Sequence, residues 1–340
     1  MLIGLKKLIS GTATIAVVTT MTACNTGTIE GANRPTTAPA NTTQQTQPVA
    51  QSTTAAQTTT AAQTPLNEIT IIFATRKDSK NLQDQANQVS EFLTKQMGIP
   101  VKAVIGDETA AVEGLRANKG QAAFIAGRAS LKAEQLAQAK MYLAEVRDDY
   151  SQGYTYNSVF VVAKDSPLQP QADAKSTLAQ LQGQRIAFAS KTSGSGYIFP
   201  LSELVGLGFV DGPDRLENFF SQVTYGDGYT SALQAVLRGQ ADIAAVSEYS
   251  LAEPWITAEE AAQLRVLQAI PKVPAHGIVI DDSVPAAQRE QLINALLLLN
   301  EPAQNAMFQG LYNSEKLVKV NHQEHLASLR QALERAKIQP

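Results

Sequence analysis

Hydrophobic positions follow two different spacings from residue 67 onward, and the two spacings alternate along the chain. Short β-branched runs predict strands, and apolar residues three or four apart predict helices. In the first half this pattern predicts a strand over 69–73, a helix over 78–97 that ends near Gly98, a strand over 101–105, a helix over 110–117 and a strand over 121–126. Such an order is typical of a parallel sheet covered by helices.

The same order of elements is predicted again in the second half. It comprises a strand over 185–189, a helix over 197–207, a strand over 223–225, a helix over 231–238 and a strand over 241–246. The halves also share local sequence, since TAAVEGLRANKGQAAFI begins at Thr109 and TSALQAVLRGQADIAAV begins at Thr230. Each reads as an amphipathic helix, a basic residue with a glycine, and a buried strand. We therefore predict an α/β fold with two similar lobes.

Two further β-rich stretches, 158–163 and 277–280, are predicted to be the connections that cross between the lobes. The sequence after about Pro285 is expected to be helical and to return to the first lobe. These boundaries give a first lobe of 67–157 plus 278–340 and a second lobe of 158–277. Ligands of open α/β sheets bind at the carboxyl ends of the strands, which here face a cleft between the lobes.

The first residues have the pattern of an export signal. Lys6 and Lys7 precede an apolar stretch over 8–20, which is typical of a secretory signal peptide, here predicted over 1–23. The small residues directly before Cys24 resemble the lipobox of bacterial lipoproteins, and the resemblance implies acylation of this cysteine. Cys24 is the only cysteine of the sequence, so an internal disulfide is excluded.

Residues 24–66 consist almost entirely of Thr, Ala, Gln, Pro and Asn. A segment with so few large apolar residues cannot offset the entropy of ordering, and we expect a disordered tether. A flexible chain of this length spans about 35 Å. The folded part is therefore expected to lie outside the cytoplasm, in the cell envelope, attached to a membrane by lipid.

Composition and motifs exclude several functional classes. The formal net charge of the 340 residues is −3, without a basic run that would bind nucleic acid. Phosphate-loop, HExxH and GxSxG motifs are absent from the sequence, and its three histidines offer few catalytic bases. We predict a binding protein with no catalytic residues, no cofactor and no metal. His322 and His325 are expected on a solvated helix face.

The segment over 189–200, ASKTSGSGYIFP, leaves a predicted strand and opens a predicted helix. Small residues allow the backbone to turn sharply and to approach a ligand closely. The free N–H groups and the dipole of a helix start favour an anion, and Thr192, Ser193 and Ser195 add hydroxyl donors. Together with Gly194, these residues are candidate ligand contacts.

This segment resembles the Ser-Thr-Ser-Gly-aromatic turn of the phosphate, phosphite and phosphonate binding proteins of ABC transporters. Similarity to that family extends through most of 68–330, at the helix start over 108–116, at Tyr156-Asn157-Ser158 and over 239–246. The resemblance implies a type II periplasmic-binding-protein fold, each lobe a mostly parallel sheet flanked by helices, joined by two crossing strands. It also implies a small phosphorus oxyanion as ligand, with permease and ATPase subunits as partners.

Carried onto this sequence, the family's hydroxyl turn falls on Ser193, Gly194 and Ser195, with glycine in place of the middle threonine. The family's first-lobe tyrosine falls on Thr109, whereas the later one is kept as Tyr156. Where the family has a histidine, the sequence has Gly228 between Asp227 and Tyr229, and an acidic position falls near His276. The resemblance thus makes these residues candidate contacts while leaving the ligand open.

Position adds two arginines to the candidates. Arg76 follows the first predicted strand and Arg128 the third, where an arginine can hold an oxyanion through two parallel hydrogen bonds. Asp227 precedes a helix and is either a cap or an acceptor for a partly protonated oxyanion. The protein is expected to be a monomer. A different small anion or organic acid, or a lipoprotein that senses a ligand for a membrane receptor, are the alternative functions.

Overall fold

The computed structural model describes residues 64–77 and 81–340. The predicted signal peptide, Cys24 and the predicted tether up to residue 63 lie outside these ranges. Within them, no helix combines the length and the apolar character that crossing a membrane requires. The main chain of Leu66 already bonds to the folded part, because its N–H and C=O pair with the Gln288 side-chain amide at 2.7 and 2.8 Å.

Within the described residues, eleven strands form two separate sheets. In chain order they are β1 (Ile69–Ala74), β2 (Val101–Gly106), β3 (Ala122–Ile125), β4 (Lys140–Val146), β5 (Thr155–Ala163), β6 (Arg185–Phe188), β7 (Gln222–Tyr225), β8 (Ile243–Ser247), β9 (Leu264–Pro274), β10 (Gly277–Ile280) and β11 (Lys316–Lys319). The first sheet has the order β11-β4-β10-β3-β1-β2, and the second has the order β7-β6-β8-β5-β9.

Helices connect and cover the strands. They are α1 (Leu82–Met97), α2 (Glu108–Arg116), α3 (Gly127–Ala137), α4 (Ala174–Ala179), α5 (Phe199–Gly206), α6 (Tyr229–Leu237), α7 (Ala258–Ala261), α8 (Ala286–Leu297), α9 (Asn305–Tyr312), α10 (His322–His325) and α11 (Ala327–Ala336). Helix α1 ends where predicted, since Gly98 has a left-handed φ of 69° and its N–H closes the last turn on Thr94.

The two sheets share one plan, which confirms the predicted α/β fold with two similar halves. Three parallel strands come first, β2-β1-β3 in one sheet and β7-β6-β8 in the other. An antiparallel strand follows in each, β10 beside β3 and β5 beside β8. The repeated sequences form corresponding pairs, namely α2 with β3 and α6 with β8.

The predicted crossing strands differ from the structure. Residues 158–163 belong to β5 and 277–280 to β10, both inside their sheets. The chain instead passes between the sheets through 147–154 and through the short segment at 275–276. A β-rich composition predicts a strand but does not show which strands pair with it in the sheet, because those strands are distant in sequence. The predicted lobe boundaries themselves stay a prediction.

Pattern reading missed several elements. Strands β4, β9 and β11 carry polar residues among apolar ones, and β11 lies in a region that was predicted to be helical. The predicted helix over 197–207 begins instead as one π-helical turn over Gly194–Ile198 and continues as α5.

The C-terminal helix packs differently from the prediction. Helix α11 lies against α5 and β9 on the second sheet's side, whereas α8 and α9 lie against α1 on the first sheet's side as predicted. Leu329, Leu333 and Ala336 are buried in the same hydrophobic cluster as Leu201 and Leu204. This packing makes α11 a link between the two halves.

The two C-terminal histidines are buried, so the expected solvated face is wrong. The side chain of His322 accepts the Met141 N–H at Nδ1 over 2.8 Å, and Nε2 of His325 lies 3.1 Å from the Ala275 carbonyl oxygen. The residues are only 6% and 8% exposed. Burial lowers the pKa of both imidazoles below the usual value.

Acid should therefore destabilise the protein through these two histidines. Because the folded pKa values are lowered, the unfolded chain binds more protons, so their contribution is complete above about pH 6.5 and is lost as the pH falls. We expect the urea midpoint to drop between pH 7 and pH 5. The variant His322→Asn/His325→Gln, which keeps one acceptor and one donor, should show a flatter profile. An equal acid dependence in this variant would contradict the assignment.

Candidate functional site

A cleft of about 360 Å³ lies between the carboxyl ends of the two sets of parallel strands. Its walls come from the starts of α2 and α3, from the turn before α5, from the segments between the sheets and from the C-terminal helix. The lining residues are Glu108, Thr109, Val112, Ala126, Gly127, Arg128, Ala129, Lys132, Tyr156, Thr192, Ser193, Gly194, Phe199, Tyr229, Val273, Pro274, His276, Leu329 and Pro340. The volume suits a small organic ligand.

The hydroxyl turn is held in place by its own hydrogen bonds. The Ser193 side chain accepts the Gly196 N–H over 2.9 Å and so caps the π-helical turn. Gly196 has no room for a side chain, since a Cβ there would lie 2.4 Å from the Ala189 Cβ. Thr192, Ser193 and Gly194 consequently present a fixed edge to the cleft.

Ser195 is not among the residues that line the cleft, although the family resemblance implies a ligand contact. The residue is fully buried. Its hydroxyl lies 2.8 Å from the Tyr229 hydroxyl, and its carbonyl accepts the Ser158 hydroxyl over 2.6 Å. Ser195 therefore joins the turn to α6 and β5, while its neighbours face the ligand space.

Opposite the hydroxyl turn, α3 supplies two cations. Arg128 reaches across the cleft, with Nη1 3.2 Å from the Lys191 carbonyl oxygen and Nη2 3.2 Å from that of Gln339. Burial lowers the pKa of this guanidinium, which nevertheless remains a cation at neutral pH. Lys132 lies one turn further along α3 and also lines the cleft.

A carboxylate also lines this cleft. Glu108 opens α2, and its two oxygens accept the same Ala126 N–H over 3.1 and 3.2 Å. Burial raises the pKa of Glu108, against the opposing effects of His276, of the Ala126 hydrogen bond and of Arg76. Sequence reasoning did not single out this residue as a ligand contact. Its position directly after β2 was the available signal.

Arg76 and His276 are bound to a buried glutamate behind the cleft wall. Glu145 lies 3.0 Å from Arg76 Nη1 and 3.0 Å from His276 Nδ1, and it accepts the Tyr150 hydroxyl over 2.7 Å. Burial alone would raise the pKa of Glu145, but Arg76, His276 and Arg147 outweigh it and hold the pKa far below the usual range.

Both candidate tyrosines, Tyr156 and Tyr229, belong to an aromatic cluster at the base of the cleft. The Tyr156 ring stacks on Tyr150 at 4.9 Å, and Tyr249 lies 5.1 Å from Tyr156 and 5.8 Å from Tyr229 between ring centroids. Trp255 packs on the same cluster. Burial raises the pKa of Tyr156 well above its usual value, so its hydroxyl stays a hydrogen-bond donor.

The structure thus brings most of the predicted contacts to one place. Lining residues include Thr109, Arg128, Tyr156, Thr192, Ser193, Gly194, Tyr229 and His276. Of the described residues, three other candidates do not line the cleft: Arg76, Ser195 and Asp227. Asp227 is exposed, and the N-cap of α6 is Gly228 instead. The apolar walls at Phe199, Val273 and Leu329 were not predicted, because they come from segments far apart in the chain.

Comparison with known protein families identifies one match. The family model described as "ABC transporter, phosphonate, periplasmic substrate-binding protein" matches residues 71–325. A search of curated proteins found no match. The similar solved structures that follow share the fold at low sequence identity.

A binding-protein component of an ABC phosphonate transporter from Pseudomonas aeruginosa is 21% identical, with a TM-score of 0.60 over 80% of this chain and 87% of that one. PhnD1 from Prochlorococcus marinus, solved with methylphosphonate, is 18% identical, with a TM-score of 0.61 over 80% and 98%. A Xanthomonas citri protein bound to chloride ion is also 18% identical, with a TM-score of 0.66 over 80% and 99%.

These neighbours share the type II periplasmic-binding-protein architecture of two sheets flanked by helices. The family match covers three quarters of the sequence, including both sheets and the whole cleft except its C-terminal wall. The chain therefore belongs to the phosphonate ABC-transporter family of periplasmic substrate-binding proteins, which bind small ligands outside the cytoplasm and are not enzymes.

Proposed function

We propose that this protein captures a small phosphorus oxyanion in the cleft and delivers it to permease and ATPase subunits of an importer. The observation that carries the proposal is the pairing of the Thr192–Gly194 edge with Arg128 and Lys132 across one cleft. Hydroxyl and backbone N–H donors on one side and cations on the other suit a tetrahedral oxyanion. The methylphosphonate bound by the Prochlorococcus protein supports this ligand class.

Ligand contacts to both halves would favour the closed state. An oxyanion held by the 192–194 edge and by α3 contacts two bodies that are joined through the segments at 147–154 and 275–276. A ligand shifts a conformational equilibrium by the difference of its affinities for the two states. Closing around the ligand is therefore expected to follow from these contacts.

A second ligand class is favoured by the apolar wall. Val112, Phe199 and Leu329 line the same cleft, which is larger than a bare oxyanion needs. Apolar surface of this kind binds an organic group. An organic phosphonate satisfies both walls, whereas a small organic acid satisfies the apolar wall and uses a carboxylate at the cations.

For the cellular setting we propose a monomer held at a membrane by acylated Cys24. One acyl chain gives reversible binding, and the several chains of bacterial lipoproteins give stable attachment. The residues between Cys24 and the folded part are the predicted tether, which would let the cleft face the permease.

Binding should be visible as a rise in thermal stability of the purified full-length protein. We expect methylphosphonate or phosphite at 100 times its dissociation constant to add about 2.7 kcal/mol, a shift of a few degrees. Phosphate, sulfate and small carboxylates complete the panel. The variant Lys132→Gln should bind about tenfold more weakly, because it removes a charge-assisted hydrogen bond.

The matched control for this experiment is Lys175→Gln. It makes the same change of charge on α4, on an exposed residue that does not line the cleft. If both variants weaken ligand binding equally, Lys132 acts only through the net charge of the protein and does not contact the ligand. A stability rise with carboxylates alone would replace the phosphorus ligand by an organic acid.

Removal of the buried charge at Glu145 should damage stability and binding together. Glu145→Gln keeps the shape but removes the carboxylate charge that Arg76 and His276 contact, and breaking one side of a buried ion pair costs about 3–5 kcal/mol. Urea unfolding and ligand titration on the same sample measure both effects. Glu290→Gln, in an exposed pair with Lys319, serves as the control and should cost less than about 1 kcal/mol.

Membrane attachment depends on one residue in this proposal. Expressed in a bacterium, the full chain should fractionate with membranes and incorporate labelled fatty acid. Cys24→Ser should abolish the label and release the protein into the soluble fraction, because the thiol is the acylation site. Cys24→Ser protein that remains labelled and membrane-bound would contradict the lipid anchor.

A further inference from the structure

One carboxyl side chain, that of Glu108, lies in a cleft whose other polar side chains suit an anion. Glu108 lines the same space as the hydroxyl edge, Arg128 and Lys132. An ionised carboxylate beside a bound oxyanion is repelled by it, more strongly in a partly buried site than in water. Glu108 therefore either weakens the binding of the oxyanion or takes part in recognising it.

The hydrogen bonding of Glu108 leaves capacity for a ligand. Among the described residues, its carboxyl group has a hydrogen bond from the Ala126 N–H, at 3.1 and 3.2 Å from the two oxygens. Two carboxylate oxygens offer about four acceptor sites, and a single N–H uses a fraction of them. The remaining capacity lies at the wall of the cleft.

The charged groups around Glu108 come from several elements. His276 approaches from the segment between β9 and β10, Arg76 from the end of β1, and Asp107 from the start of the same helix. Arg128 and Lys132 line the cleft from α3. Arg76 and His276 already contact Glu145, so the charge of Arg76 is partly compensated there. Burial raises the pKa of Glu108 in this setting, which makes proton uptake easier than at an exposed glutamate.

We propose that Glu108 and the bound oxyanion hold one proton between them, so that Glu108 selects ligands that bring a proton. The inference rests on the proposed function and adds a rule for specificity. A phosphonate or phosphite monoanion donates its P–O–H to the Glu108 carboxylate. Its dianion binds when a proton is taken from the solvent. The O–H···O⁻ bond is charge-assisted and strong.

Sulfate provides the contrast for this rule. It has the same tetrahedral shape but carries no proton near neutral pH, so it binds when Glu108 itself is protonated. Selection then works by repulsion of the wrong ligand as well as by attraction of the right one. A phosphorus oxyanion is favoured over sulfate without any difference in size.

A purely structural role makes different predictions. A carboxylate at the first N–H groups of α3 stabilises the helix start. Glu108→Gln keeps an acceptor for the Ala126 N–H, so its folding is expected to remain close to wild type. A structural role would appear in urea unfolding and would leave the pH dependence of ligand binding unchanged.

The test is isothermal titration calorimetry of the full-length protein with methylphosphonate and with sulfate, between pH 5.5 and pH 8.5. Two buffers of different ionisation enthalpy report the protons exchanged. Wild type should take up about one proton per methylphosphonate at the alkaline end, with affinity falling about tenfold per pH unit there. Sulfate should bind at least about tenfold more weakly than methylphosphonate.

In Glu108→Gln the proton uptake and the alkaline loss of affinity should disappear, and sulfate should bind about tenfold better than to wild type. The control Glu113→Gln makes the same change on a half-exposed residue of α2, paired with Arg116 at 2.7 Å. It should keep the wild-type profile.

Two results would overturn the inference while leaving the proposed function intact. One is methylphosphonate binding to wild type without proton uptake at pH 8.5, a measurement that needs no variant. The other is an unchanged pH profile in folded Glu108→Gln. If wild type binds neither methylphosphonate nor any other oxyanion at any pH, the proposed function itself fails and the inference falls with it.

Discussion

A single buried carboxylate organises the junction of the two halves. Glu145 is fully buried on β4, where its charge would be unfavourable without compensation. Arg76 from the end of β1, His276 from the second segment between the sheets and Ser314 before β11 all contact it. Its N–H also bonds the His276 carbonyl oxygen at 2.9 Å. The segment at 275–276, which connects the two sheets, is therefore held in place by the groups that compensate the charge of Glu145.

This arrangement decides which groups remain for a ligand. Arg76 and His276 use part of their hydrogen-bonding capacity on Glu145. The Ser195 hydroxyl lies 2.8 Å from the Tyr229 hydroxyl. The cleft keeps the Thr192–Gly194 edge on one side and the start of α3 on the other. Glu108 lies beside the start of α3, where it accepts the Ala126 N–H, and also lines the cleft. A site with donors, cations and one acceptor is better suited to a partly protonated oxyanion than to a fully ionised one.

The C-terminal helix adds a constraint of its own. Helix α11 packs on α5 through buried leucines, while Arg128 on α3 reaches the Gln339 carbonyl oxygen. Leu329 and Pro340 then form part of the cleft wall. Gly127 accommodates this approach, because a Cβ there would lie 3.0 Å from Leu329 and 3.2 Å from Pro274. The end of the described chain thus shapes the ligand space that the strand ends define.

The alternating pattern of the sequence predicted the fold class and the likeness of the two halves. Local spacing predicted β1, α1, β2 and α2, and the repeated text at Thr109 and Thr230 predicted that the halves are alike, because helix and strand periodicity are local properties. Strand β4 was not predicted, because Glu145 interrupts its apolar run. The partners that make a buried glutamate tolerable there, Arg76 and His276, are distant in sequence.

The sequence by itself also determined the hydroxyl turn and its glycines, which follow from sterics within a few residues. Only the tertiary structure decided which side chains line the cleft. Ser195, Arg76 and Asp227 were predicted as ligand contacts but are not among the residues that line the cleft: Ser195 is buried, Arg76 pairs with Glu145 and Asp227 is exposed. Side-chain direction depends on contacts between segments that the sequence keeps far apart, and those contacts exist only after the chain has folded.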